Sequence, residues 1–107
     1  MKIDLGQLEF ISPLLRKIAL AVEKQFDVEF TITSLYRIGD PGVHGQLPLR
    51  GIDLRCREDH FAILIKDFVN SHWCYDPDRQ HLDCCIYHDT GLGKHIHLQV
   101  HPKTVER

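Results

Sequence analysis

Residues 94–102 read KHIHLQVHP, and this stretch limits the fold more than any other. His95, His97, Gln99 and His101 alternate with Ile96, Leu98 and Val100, a period of two that belongs to a β-strand. The aliphatic set needs a core to bury it, and the opposite face is polar and rich in imidazole. The chain carries eight histidines, four of them between His88 and His101. The ordinary reading of an isolated H-x-H is a solvated strand face. The alternative is half of a metal site, because imidazoles two residues apart on one strand reach a common ion.

The rest of the chain supplies the layers around that strand. Ser12-Pro13 reads as a helix N-cap followed by proline at the first helical position. Leu14, Leu15, Ile18, Ala19, Val22 and Phe26 then recur at helical spacing, which predicts a helix from Pro13 to about Gln25. Residues 3–11 suit a short preceding helix or turn. VEFTITS, residues 28–34, alternates like a strand, and RGIDLRC, residues 50–56, sets Ile52, Leu54 and Cys56 against Gly51, Asp53 and Arg55. A turn-rich loop from Ile38 to Leu49 lies between them. Glu58 to Ser71 carries Phe61, Leu64, Ile65 and Phe68 at helical spacing, with acidic residues at its start as the helix dipole favours. Trp73 to Arg79 reads as a loop. DCCIYHD, residues 83–89, and HIHLQVH, residues 95–101, read as strands joined by a Thr-Gly-Leu-Gly turn. The expected fold is α+β: a mostly antiparallel four-stranded sheet with helices packed on one face, in a single compact domain spanning 1–107.

Totals narrow the function. The formal net charge is -2, which gives no global attraction to nucleic acid or an anionic membrane. No apolar run is long enough to span a bilayer, and Asp4, Gln7 and Glu9 interrupt the N-terminal apolar residues, so the expectation is a chain made in a cytoplasm without a signal peptide. Cys56, Cys74, Cys84 and Cys85 form no C-x-x-C pair and are expected to be buried, reduced thiols.

Asp53 stands out because aspartate is disfavoured in the middle of a strand. Its same-face neighbour Gly51 leaves space above the sheet. The carboxylate there is a salt-bridge partner, with Arg37, Arg50 or Arg55, or it is a ligand. His44 lies in the glycine-rich stretch GVHG, which can carry a side chain over a sheet face. His44, Asp53 and His97 together make a two-histidine, one-aspartate set. Zinc accepts these donors, and a catalytic zinc holds three protein ligands and an open position. His95, on the same face as His97, is then placed to act as a base.

The pattern resembles the zinc D-alanyl-D-alanine carboxypeptidases and related murein endopeptidases, of the Hedgehog/DD-peptidase fold. That family carries S-x-Y-R, then S-x-H-x-x-G-x-A-x-D, then E-x-x-H or H-x-H near the end. Ser34-Leu35-Tyr36-Arg37, Gly42-Val43-His44 with Gly51-Ile52-Asp53, and His95-Ile96-His97 are similar to these elements, over roughly Thr31 to His101. Gly42 replaces the serine, Gly51 replaces the alanine, and the stretch between histidine and aspartate is two residues longer than in that pattern. The resemblance implies one zinc ion held by His44, Asp53 and His97. It makes His95 the general base and later acid, and gives Arg37 to the developing oxyanion or a substrate carboxylate. The substrate implied is a peptide or peptidoglycan fragment, with no nucleic-acid or membrane partner, as in a phage or prophage lysis enzyme released to the cell wall or carried in a virion. The alternative is a non-catalytic metal-binding module of the same fold.

Among the remaining residues, Tyr36 is expected to pack, and Trp73 and Tyr75 to cap a core edge. His88 and Asp89 open the hairpin turn; turn-stabilising hydrogen bonds are the expectation for them, and reaching the metal face is the alternative. His101 lies about 13 Å from His97 on a regular strand, too far to share its ion.

Overall fold

A computed structural model describes residues 12–27, 32–34, 50–56, 58–89 and 93–107. Its elements in chain order are α1 (Pro13–Phe26), β1 (Ile32–Ser34), β2 (Gly51–Arg55), α2 (Asp59–His72), β3 (Trp73–Cys74), β4 (Cys85–Asp89), β5 (Lys94–Gln99) and β6 (Val105–Glu106). The predicted short helix or turn at residues 3–11 and the loop from Ile38 to Leu49 lie outside the described residues.

The fold is α+β, with two helices and an antiparallel sheet. Its body is three strands, β2, β5 and β4, with β5 in the middle. Among the described residues this body has three strands where four were expected; of the strand expected over residues 28–34, Ile32–Ser34 is described, and it pairs irregularly with β2. The register of the central pair sets Gly51 opposite Gln99, Ile52 opposite Leu98, Asp53 opposite His97, Leu54 opposite Ile96 and Arg55 opposite His95. The hairpin sets Cys85 opposite Leu98, Ile86 opposite His97, Tyr87 opposite Ile96 and His88 opposite His95. Alternation therefore sorts the side chains into two faces.

One face carries Ile52, Leu54, Ile96, Leu98 and Cys85, each no more than 1% exposed. Leu15, Ile18, Ala19 and Val22 of α1 and Ala62, Ile65 and Val69 of α2 complete the same cluster, which places both helices on this face. Phe26 sets its ring edge-on to Phe61 and Phe68, at 5.5 and 5.7 Å between centroids, and so ties the end of α1 to α2. Ser12 begins α1 through its carbonyl, which accepts from Arg16 N, and not through a side-chain cap.

The free edge of the sheet is β4. Asn70 of α2 imitates a neighbouring strand there: its Nδ2 donates to the Cys85 carbonyl and its Oδ1 accepts from Cys85 N, both at 3.0 Å. Trp73 and Cys74, expected in a loop, instead pair with Val105–Glu106 as a second small sheet. Trp73 and Tyr75 are both buried and belong to the core. Thr104 locks this region, donating to the Tyr75 carbonyl and accepting from His101 N. Asp76 is buried beside it, and Arg79 with the Asp78 amide holds its carboxyl below the usual carboxylate range. All four cysteines are free and buried, as expected. Burial pushes the Cys84 and Cys85 thiols up to about 12, so neither offers a thiolate near neutral pH. Among the described residues, no helix is long and apolar enough to cross a membrane.

Candidate functional site

The second face of the sheet gathers Asp53 from β2, His95, His97 and Gln99 from β5, and His88 from β4. It is not a solvated face. The side chains of Asp53, His95 and His97 retain only 14, 14 and 12% of their exposure. A carboxylate and two imidazoles held that far from water need partners, because an unpaired buried charge costs several kcal/mol.

The partners are each other. His97 Nδ1 lies 2.7 Å from Asp53 Oδ1, and His95 Nε2 lies 3.8 Å from the same oxygen. At that distance His97 Nδ1 either donates an N–H to the Asp53 carboxylate or shares a metal ion with it. Tetrahedral zinc with ordinary bond lengths separates neighbouring ligand atoms by about 3.3 Å. The pair thus needs to open by only about half an ångström to hold one.

Each ring is oriented from its far side. His95 Nδ1 lies 3.3 Å from the Gly93 carbonyl, which can only accept, so Nδ1 donates there and Nε2 is the ring nitrogen turned toward Asp53. Gly93 takes φ 100°, a left-handed value natural to glycine, and its N–H donates to Asp89 Oδ1. The turn of the hairpin therefore aims the His95 ring. Asp89 accepts from Gly93 across that turn, as expected. His88 faces the site. It lies on β4, with its ring edge-on to His95 at 4.6 Å and 6.0 Å from His97. Burial, then the two neighbouring imidazoles, hold the His88 pKa below its ordinary value. The signal for His88 was present in the sequence. Pairing Asp89 with Lys94 across the turn places His88 opposite His95.

The structure brings together three of the residues singled out from sequence, Asp53, His95 and His97. His44 and Arg37 lie outside the described residues. Among the described residues, no group of three or more His, Cys, Asp or Glu side chains is arranged to hold a metal ion. Asp53 and His97 are two converging donors. Arg55 is exposed at the site's rim, opposite His95. His101 has left the face. Its Nδ1 accepts from Lys103 N and its ring lies 5.6 Å from Tyr75. A separate cavity of about 390 Å³ sits where β2 begins and β5 ends, lined by α1's first residues, Arg50 and His101. It includes none of the polar cluster.

Comparison with protein-family profiles, with curated proteins and with solved structures returns no match for this chain.

Proposed function

We propose that the chain is a zinc-dependent metallopeptidase that hydrolyses an amide bond in a peptidoglycan stem peptide or a similar peptide. The observation that carries this reading is the convergence of His97 Nδ1 and Asp53 Oδ1 at 2.7 Å in a largely buried site, with His95 Nε2 3.8 Å from the same oxygen. Asp53 and His97 are the described members of the ligand set, and His44 is the third ligand that the sequence resemblance implies. Zinc supplies Lewis acidity at such a site, acidifying water and polarising a carbonyl.

The protein's own groups do the rest. His95, with its proton on Nδ1 held by the Gly93 carbonyl, takes a proton from the attacking water on Nε2 and returns it to the leaving amine. Asp53 fixes the His97 ring through the 2.7 Å contact at Nδ1. The low exposure of all three side chains strengthens each of these interactions relative to water. Arg37 is assigned to the developing oxyanion or to a substrate carboxylate. A lysis enzyme of a phage, acting on the cell wall, fits this chemistry and the sequence resemblance.

A second reading draws support from His88. Its ring lies beside both His95 and His97, so it is close enough to compete for an open coordination position. If it took that position, the zinc would be structural and the domain a wall- or protein-binding module. One assay separates the two. Zinc-loaded protein incubated with purified muropeptides should release a product with a new amine, and His95→Ala should lower the rate at least 100-fold while still binding zinc. Tight zinc binding without hydrolysis of any stem peptide would favour the binding module.

A further inference from the structure

Among the described residues, Gln99 meets His97 at the ring nitrogen away from Asp53. Its Nε2 donates to the Asp83 carbonyl at 2.8 Å, and this fixes which end of the amide is which. Oε1 is left facing His97 Nε2 at 3.1 Å. An amide oxygen only accepts, so the nitrogen opposite it carries a hydrogen. The backbone of the same residue is also tied down, because Gln99 N donates to the Cys84 carbonyl at 2.8 Å. Across the sheet its partner is Gly51, whose lack of a side chain leaves room for the amide to lie along the face.

We infer that Gln99 is the positioning residue of the metal ligand His97: the Asp83–Gln99–His97 chain keeps the proton on Nε2 and presents Nδ1 to the metal beside Asp53. This rests on the zinc reading above and extends it to a residue outside the ligand set. The wrong tautomer would set a lone pair against the amide oxygen and give up a hydrogen bond at a site with little water to replace it. Groups that orient a ligating histidine from behind commonly control metal affinity by 10- to 100-fold. Gln99 touches neither substrate nor metal and acts only through His97.

The test is zinc affinity of the full chain, measured by competition with a chromogenic chelator. Gln99→Met keeps the volume and removes the acceptor, while Gln99→Glu keeps an acceptor oxygen. The expected result is a 10- to 100-fold weaker affinity for Gln99→Met, with an unchanged thermal midpoint of the metal-free protein, and recovery of part of that loss in Gln99→Glu, which restores the acceptor to His97 but not the donor to the Asp83 carbonyl. Long-range ¹H–¹⁵N spectra of the zinc-loaded wild type should show His97 bound through Nδ1 and protonated at Nε2. Unchanged affinity in Gln99→Met, or metal on Nε2, overturns the role of Gln99 and leaves the zinc reading standing. So does an affinity loss that follows a fall in the metal-free midpoint and is not recovered by Gln99→Glu. A folded wild type that binds no zinc overturns both.

Discussion

The two faces of the β2–β5 pair are both shut away from water, and they are held together by different physics. On one face Ile52, Leu54, Ile96 and Leu98 meet the helices and are at most 1% exposed. On the other, Asp53, His95 and His97 keep 12 to 14% exposure and are satisfied by one another, by Gly93 and by Gln99. The aliphatic face is stabilised by area and packing and tolerates no loss of volume. The polar face gains little net stability, because pairing there mainly offsets desolvation.

The largest expected effect lies on the aliphatic side. Leu98→Ala should cost about 4 kcal/mol in chemical denaturation, the usual scale for a fully buried leucine. For His97→Ala the expectation is about 3 kcal/mol, because it removes the 2.7 Å partner of a carboxylate that is largely buried. The double variant Asp53→Ala/His97→Ala separates the two faces best. If the pair merely offsets its own desolvation, the double variant is more stable than His97→Ala alone; equal or lower stability would make the polar face a source of folding energy after all. Asn70→Ala removes both hydrogen bonds to Cys85 at the β4 edge and should cost about 1 to 2 kcal/mol.

Smaller effects follow from charge. The folded-state pKa of His88 lies below its ordinary value of 6.5, so the unfolded chain binds more protons between the two values. Its contribution is complete above pH 6.5 and is lost as pH falls through the folded value. His88→Phe should therefore flatten the acid side of a stability–pH curve, and an unaltered slope would show that His88 is not held neutral by its neighbours. At the bottom of the scale, the exposed Lys17–Glu106 pair should be silent, with no measurable change in thermal midpoint for Lys17→Ala.

The same contrast explains what the sequence made legible. Period-two and helical spacing located α1, α2, β2, β4 and β5 to within a residue or two, because each buries one face and leaves a regular mark. They also put Asp53, His95 and His97 on the correct side of their strands. Trp73–Cys74 and Val105–Glu106 left no mark, since two-residue strands are too short to show a period. For His88 the turn was preferred to the metal face, because its position depends on hairpin register, a relation between two strands, and the residue was weighed alone. The orientation of the rings was beyond reach of pattern altogether. It depends on the Gly93 carbonyl and on the direction of the Gln99 amide, which the Asp83 carbonyl sets.

Zinc titration of untagged, metal-stripped protein tests the central claim most directly. The account predicts one zinc ion per chain, bound in the wild type and in His95→Ala, and lost in both Asp53→Ala and His97→Ala while those variants still fold. A folded wild type that takes up no zinc, or zinc binding that survives both Asp53→Ala and His97→Ala, would contradict it.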